Sequence, residues 1–526
     1  MSNPAIETPE SAPAADARPY AAPAPATLLA AKGGGIAFTG KLVTFACRFA
    51  ITFLLARLMG AGQYGLYNLG QTALTIAAGL AVFGMDSALV RYIAIYHGRR
   101  DEAGLWGVLQ AGLGTAAVLG VALGAGLHLL AEPIAARVFD EPQLAPVLRV
   151  AGLLAPFLAL NIVLAAATQG FKQMQHATIA RDIVQPLIRL ALIVALAAVG
   201  LSAVGALTVY GVAIAATSIQ LLLSLNRLFA LRRPLRQARH RLRELLNFSL
   251  PVHLSDLMTT FRENVQTLLL GALNTVTSVG LFAVANQVNL IGHFFHTSLV
   301  AASNPIISEL HDRGDRTQLA RMYQTTTKWS FTVNLPLFLT MALFPAAVMS
   351  IFGASFADGA TALVLLAGAN MLDAATGTCG SIIDMTGHTR LKLVNALVRL
   401  GLSLGLSALL IPPWGVLGAA VAALLVVGTT NLLRLAEVFV LFRMLPYNAS
   451  FVKPILAGAA ALGTALALDR ALPTAAQPAY AALHTAALLA VYAGAILALG
   501  LGPEDRAVLA RVRARLGRGK GKGRKR

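Results

Sequence analysis

Apolar residues dominate this chain in long runs, separated by short segments where Arg, Lys, Asp, Gly and Pro collect. The runs fall near 35–59, 67–95, 104–130, 146–170, 179–200, 203–226, 247–272, 276–305, 323–351, 359–386, 391–411, 415–440, 452–470 and 479–501. A helix needs about 20 apolar residues to cross a bilayer, so the pattern predicts about fourteen spanning helices. Gly84, Pro156, Pro186, Pro251, Pro305 and Pro336 lie inside the runs. Backbone groups freed by such residues find partners in neighbouring helices or a wet cavity. The predicted fold is an all-α polytopic membrane protein.

Composition agrees. The 526 residues are 57% hydrophobic and 12% charged, where a soluble domain carries about 25% charge. That excludes a soluble enzyme, a secreted scaffold and a nucleic-acid-binding protein. The net charge of +19 sits mostly in short loops and in Arg511–Arg526. With a cytoplasmic N-terminus, alternate loops facing inward hold Arg99 and Arg100, Lys172 and Arg181, Arg313 and Arg316, Arg390 and Lys392, and Arg443 and Lys453. Outward loops hold little beyond Arg137 and Arg470. Cytoplasmic loops carry the excess of Lys and Arg, so both termini are expected inside.

The expected organisation starts with a disordered, Ala/Pro-rich cytoplasmic leader over 1–33, which lacks the basic and apolar regions of a signal peptide. An N-lobe of six spans covers 34–230. A basic linker covers 231–246, with Leu231, Leu235, Ala238, Leu242 and Leu245 at helical spacing, as in a helix lying on the membrane face. A C-lobe of six spans covers 247–445, two more spans cover 446–502, and a basic cytoplasmic tail covers 503–526. Linker and tail are expected to hold anionic lipid rather than nucleic acid. Cys47 and Cys379 lie in apolar runs and read as small buried hydrophobes. No Cys/His spacing suits zinc, and neither a metal nor a cofactor is expected.

The chain also repeats itself. Gly65-Leu-Tyr67 matches Gly280-Leu-Phe282, and His97-Gly-Arg-Arg-Asp101 matches His311-Asp-Arg-Gly-Asp315. Leu187-Ile-Arg-Leu-Ala-Leu192 matches Leu397-Val-Arg-Leu-Gly-Leu402. The three echoes occur in order, at a near-constant spacing of about 210–215 residues and six spans. Pseudo-symmetric six-helix lobes around a central cavity are a transporter architecture.

Two stretches in the first half carry a family likeness: Phe53-Leu-Leu-Ala-Arg-Leu-Met-Gly-Ala-Gly-Gln-Tyr-Gly-Leu-Tyr67 and Phe83-Gly-Met-Asp-Ser-Ala-Leu-Val-Arg-Tyr-Ile93. Phe248-Ser-Leu-Pro251, Leu268-Leu-Leu-Gly271 and Val279-Gly-Leu-Phe-Ala-Val-Ala-Asn286 carry it into the second. Over roughly 35–440 the chain resembles the polysaccharide-exporting lipid flippases of the multidrug/oligosaccharidyl-lipid/polysaccharide (MOP) exporter superfamily. The resemblance implies two six-helix lobes, two further C-terminal helices and alternating access. The implied cargo is an undecaprenyl-diphosphate-linked oligosaccharide, moved from the inner to the outer leaflet of a bacterial cytoplasmic membrane. A polysaccharide polymerase machinery is an implied partner.

Moving a diphosphate and a sugar through hydrocarbon makes and breaks no bond. It calls for cations toward the phosphates and for hydroxyl, amide or imidazole groups toward the sugar, and intramembrane polar residues are the candidates. Lys41, Thr44, Arg48 and Thr52 form one stripe on the first span. On the seventh, Ser255, Asp256, Thr259, Arg262, Glu263 and Gln266 share a sector of roughly 120°. Arg262 is the foremost diphosphate candidate, because a guanidinium fork matches phosphate oxygens. Asn286, Asn289, His293 and His296 stripe the eighth span, and Arg399, the repeat partner of Arg189, is a further candidate in the eleventh, where the duplication also fits a structural role. Asp256, Glu263 and Asp373 are candidates for ion coupling, or counter-charges to the arginines.

Other readings remain open. A multidrug or toxin extruder of the same superfamily would bind a cationic amphiphile through carboxylates and aromatics. A peptidoglycan-precursor flippase is a close variant. A membrane polymerase or ligase would need catalytic groups on a long external loop, and the longest outward loop, about 131–145, is short and broken by proline.

Overall fold

A computed structural model of the chain describes residues 24–231, 234, 237–471, 478–500, 502 and 505–506. The leader up to residue 23, linker residues 232, 233, 235 and 236, and the basic tail beyond 506 lie outside the described residues. The first half comprises α1 (Ala24–Val82), α2 (Met85–Arg99), α3 (Glu102–Leu129), α4 (Ala131–Arg137), α5 (Leu144–Gly170), α6 (Met174–Thr178), a π-helical turn (Ile179–Val184), α7 (Gln185–Leu196) and α8 (Ala203–Leu228). The second comprises α9 (Leu242–Leu273), α10 (Val276–Asp312), α11 (Arg316–Leu343), α12 (Pro345–Ser350), α13 (Ala360–Thr376), α14 (Cys379–Met385) and α15 (Thr389–Phe442), followed by α16 (Val452–Ala471) and α17 (Pro478–Ala498).

Each apolar run of the sequence coincides with helix over most of its length. Seven described helices are long and apolar enough to cross a membrane on those grounds alone. Two of these join neighbouring runs: α1 is broken at Gly60 (φ 71°) and α15 at Gly415 (φ 53°), left-handed positions where glycine carries no Cβ penalty. Pro156, Pro251, Pro305 and Pro336 stay inside their helices, whereas Phe83 and Gly84 divide the second run into α1 and α2. Outward faces are apolar, with Val118, Leu409 and Val440 about two-thirds exposed, as in a multi-pass membrane protein.

The repeated His–x–Arg–x–Asp motif has a local cause. Asp101 N–H donates to Tyr96 O and Asp315 N–H to Leu310 O, both at 3.0 Å. Arg100 and Gly314 take left-handed φ, closing α2 and α10. The Asp101 and Asp315 carboxylates then accept from Gly104 N–H (2.9 Å) and Gln318 N–H (3.0 Å), capping α3 and α11. The duplicated sequence therefore encodes one duplicated corner, placed on the end of each lobe that carries Arg99, Arg313 and Arg443, the basic end. Gly60, Leu130 and Leu273 mark the far end.

Small residues let helices approach closely within a lobe. A Cβ on Gly124 would sit 2.4 Å from Gly152 O, so α3 and α5 meet backbone to backbone. The last two helices pack on α11 through Leu339, Ala457, Ala461, Leu488 and Tyr492. At the basic end Lys328 Nζ donates to both Asp505 oxygens (2.9 and 3.0 Å), and Trp329 Nε1 to one of them (2.7 Å).

Three local expectations differ. Helix α1 starts at Ala24, inside the stretch read as disordered, because Ala-Thr-Leu-Leu-Ala-Ala is a good helix former. The described linker residues 238–241 are not helical. Arg239 N–H donates to Ala103 O (2.9 Å) and Trp106 Nε1 to Pro234 O (3.3 Å), so the linker lies against the start of α3. Residues 242–246 belong to α9, and the outward loop contains the short α4.

Candidate functional site

A cavity of about 890 Å³ lies between the lobes, within the range of roughly 300–1,000 Å³ typical of enclosed ligand sites. One wall is α1, the π-helical turn, α7 and α8; the other is α9, α10 and α15. Its charged lining is unequal: Arg48, Arg181, Arg189, Arg262 and Arg399 face a single carboxylate, Glu263.

Arg48 is set by α1, whose Thr44 hydroxyl donates to Asp182 O (2.7 Å) and ties the stripe to the π-helical turn. Its Nε donates across the lobe boundary to Gln287 Oε1 (3.1 Å). Arg189 donates to the Tyr67 hydroxyl and stacks on Tyr210, 4.6 Å from the ring centroid. Its Nε is buried without a hydrogen-bond partner. Among the described residues Arg262 reaches only Glu263, at a loose 3.7 Å. Arg399 makes no hydrogen bond or ion pair among the described residues, although the charge of Arg262 acts on it, as that of Arg48 acts on Arg189. Among the described residues no arginine of the lining is locked tightly to an acid, so their donors remain available to an anion.

The repeat explains the arrangement. The correspondence that relates residue 65 to 280 also relates Arg48 to Arg262, and Arg189 corresponds to Arg399. Each lobe therefore presents repeat-related arginines from its first and fifth spans, and the N-lobe adds Arg181.

Of the residues singled out from sequence, Arg48, Thr52, Arg262, Glu263, Gln266, Asn286, His293 and Arg399 line the cavity. Lys41, Thr259, Asn289, His296, Asp256 and Asp373 do not. Lys41 is exposed, and the Thr259 hydroxyl donates to Ser255 O (3.1 Å). Asp256 lies near His253 and Asp86, where α9 meets α2. Arg91 of α2 stacks on Phe248 (4.7 Å) rather than pairing with Asp86. His296, Asp373 and Asn289 sit behind the wall, inside the C-lobe. His296 Nδ1 is 2.8 Å from Ser330 Oγ and its Nε2 is 3.6 Å from Asp373, which accepts from Asn431 Nδ2 (2.9 Å). Asn289 flanks a small void with Asn334 and Asn370.

The sequence reading passed over the second segment of α1. Tyr64, Asn68, Gln71 and Thr75 line the cavity at steps of 4, 3 and 4, the spacing that also marked Lys41 to Thr52. Tyr67, Gln185 and Tyr210 join them, and nothing local in the sequence marks Tyr210.

A family model described as polysaccharide biosynthesis protein matches residues 30–311, more than half of the chain. The chain belongs to this polysaccharide biosynthesis family. The probable low-salt glycan biosynthesis flippase Agl15 of Haloferax volcanii is 24% identical over 184 residues, 35% of this chain. The chain spans 39% of the length of that curated relative. Among solved structures, the lipid II flippase MurJ in an inward closed conformation aligns with TM-score 0.69 at 12% identity, covering 88% of this chain and 97% of that one. An inward-facing multidrug resistance MATE family transporter of the MOP superfamily aligns with TM-score 0.62 at 18% identity, over 76% and 94%. The family member thus has the MOP fold: two pseudo-symmetric helical lobes around a central cavity, with two additional C-terminal helices.

Proposed function

We propose that this protein is a flippase that carries an undecaprenyl-diphosphate-linked oligosaccharide across the bacterial cytoplasmic membrane by alternating access. The observation that carries the reading is the inter-lobe cavity with five arginines and one glutamate. Guanidinium groups gathered inside a membrane-spanning fold without tight acidic partners are unfavourable unless an anion meets them. A diphosphate meets them in fork geometry, and Arg48 and Arg262 are the groups assigned to it. Thr52, Gln266, Asn286 and His293, with Asn68 and Gln71, offer hydrogen bonds to sugar hydroxyls. Tyr64 and Tyr67 offer ring faces.

A cationic drug would meet the wrong charge here, which disfavours the extruder reading. Family membership and the glycan-flippase relative support a glycan cargo. Ion coupling is assigned to Asp373, which faces His296 inside the C-lobe; Glu263 and Asp256 are the other acids in question. The excess of Arg and Lys in alternate loops supports cytoplasmic termini.

The test is polymer export in cells that depend on this chain. Arg48→Ala and Arg262→Ala are expected to abolish surface polymer while protein abundance stays at the wild-type level. Normal polymer with both variants overturns the assignment.

A further inference from the structure

We propose that Asp86 and Asp256 form a proton-operated latch between the lobes: the closed seam holds one proton on this carboxylate pair, and its loss opens the seam toward the basic end. The inference rests on the alternating-access part of the reading above and adds a regulatory site outside the cavity. The seam lies where α2 of the N-lobe meets α9 of the C-lobe. On α1 the cavity lining ends at Thr75, and on α9 it begins at Arg262. Gly84 and His253 each lie nine residues farther toward the basic end. A Cβ on Gly84 (φ 68°) would fall 2.5 Å from Ser249 O and 3.1 Å from His253 N, so the two backbones touch. Phe83 stacks on the His253 ring (4.7 Å), and Ser249 Oγ donates to Met85 Sδ (3.7 Å). The lobes are shut against each other at this level.

Asp86 is the second residue of α2, and Asp256 stands one turn past His253 on α9, so the backbone contact brings carboxylates of opposite lobes to one seam. Their mutual charge effect agrees with that placement. Asp86 Oδ1 is buried without a hydrogen-bond partner. Among the described residues the cations of the surrounding helices are turned elsewhere. Arg91 of α2 lies over Phe248 (4.7 Å), and Arg262 of α9 faces Glu263 (3.7 Å). On α1, Lys41 lies by Asp182 and Arg48 reaches Gln287. On α15, Lys392 pairs with Asp384 (3.1 Å) and Arg399 lines the cavity. On α10, His293 lines the cavity, His296 faces Asp373 and Glu309 pairs with Arg313. Helix α3 carries charge only at its ends, on Glu102 and His128, and residues 72–82 of α1 and 150–170 of α5 carry none. His253 itself, 5% exposed under Phe83, is the remaining titratable neighbour.

Two like charges held at a closed contact without a counter-ion disfavour it. One proton on the pair removes the repulsion and brings a donor to a site where Asp86 Oδ1 has none. When the lobes part, water solvates both carboxylates and the proton leaves. Closing therefore takes up about one proton, so the closed seam is favoured as pH falls and weakened as pH rises. Linkage changes the ratio of closed to open about tenfold per pH unit across the titration. Among the described residues His253, Asp86 and Asp256 do not converge as metal ligands, which favours a proton over a metal ion as the effector.

The experiment places spin labels on Arg99→Cys and Arg313→Cys, exposed repeat partners at the basic end, in the purified full chain in nanodiscs. Lobe separation is read as pH is lowered from about 9 to about 5. The short-distance population is expected to grow, its ratio to the long-distance one changing about tenfold per pH unit in the steep region. Asp86→Asn and Asp256→Asn each remove the repulsion and are expected to hold the short distance at every pH. Asp256 is exposed, so its variant serves if Asp86→Asn does not fold. Asp384→Asn, which removes a carboxylate of the same end, is expected to keep the wild-type pH response. A wild-type distribution that does not move with pH overturns the latch. A response that survives in both carboxylate variants and is lost in His253→Gln moves the proton to the imidazole and overturns the assignment to the pair. Either result leaves the diphosphate reading intact, because translocation of the cargo in vesicles tests that reading separately.

Discussion

Gly65 and Gly280 are repeat partners that meet where α1 crosses α10 near the far end of the lobes. A Cβ on Gly65 would fall 1.8 Å from Val276 O, and one on Gly280 would fall 2.1 Å from Ala61 O. A carbon–oxygen contact needs about 3.3 Å, so alanine at either position drives the helices apart by roughly 1.2–1.5 Å. Overpacking of this size costs about 1–3 kcal/mol. Around the crossing, Ala61 N–H donates to Ser355 Oγ (3.3 Å) and Arg57 Nε to Ile351 O (3.0 Å), and both contacts require the lobes to be closed there. If the protein alternates between two states, the penalty falls only on the far-end-closed one. A shift of 2 kcal/mol changes the ratio of the states about 30-fold. Spin labels at 130 and 273, both exposed leucines at the far end, read the separation. Gly65→Ala and Gly280→Ala are expected to move most of the distance distribution to longer values and to slow transport. Gly79→Ala, where a Cβ meets nothing within 4 Å, is the neutral control. Distributions that match the control refute the gate.

Three other predictions follow from contacts away from the cavity. Burial pushes the Asp505 carboxyl up, but hydrogen bonds from Trp329, Lys328 and Gly502 and the charge of Lys328 outweigh it, holding Asp505 below the usual carboxylate range. Its stabilising contribution is present above the unfolded value of about 3.9 and is lost as pH falls through the lower folded value. Asp505→Asn leaves Lys328 buried without its anion and is expected to destabilise the chain by roughly 1–3 kcal/mol, less than a fully buried pair because Asp505 is partly exposed; an unchanged melting temperature at pH 7 refutes the clasp. Asp373→Asn is expected to leave cargo binding intact while transport no longer responds to an imposed ion gradient, and gradient-driven transport at the wild-type rate removes Asp373 from coupling. Arg99→Cys and Arg313→Cys should react with an impermeant maleimide only from the cytoplasm, and Glu141→Cys only from outside, with buried Cys47 and Cys379 silent; the reverse pattern inverts the topology.

Fold class and lobes were legible because the apolar runs match or exceed a bilayer's thickness and because a duplicated corner, with its left-handed residue and Asp cap, leaves a duplicated motif. Arg48 and Arg262 stood out as charges inside apolar runs, since burial there demands a partner. Periodicity did not separate residues facing the cavity from residues facing a neighbouring helix. His296 and Asn289 share a stripe with His293 and Asn286, yet lie inside the C-lobe, where Ser330 hydrogen-bonds His296 with Asp373 close by, and Asn289 flanks a void beside Asn334. Lys41 and Thr259 belong to striped faces that run past the cavity. The linker read as a surface helix because its leucines keep helical spacing, but the backbone of Arg239 finds its acceptor on Ala103 instead. Tyr210 and Asp505 act through partners far away in the chain, and spacing within one helix carries no trace of them.

The most direct test of the central claim is translocation in vesicles. With the full chain reconstituted, a fluorescent undecaprenyl-diphosphate trisaccharide should reach the opposite leaflet much faster than in protein-free vesicles. Arg48→Gln with Arg262→Gln should return that rate to the protein-free level, without altering the movement of a labelled phosphatidylcholine. Equal rates for the wild type and the double variant would contradict the claim that these arginines carry the diphosphate across.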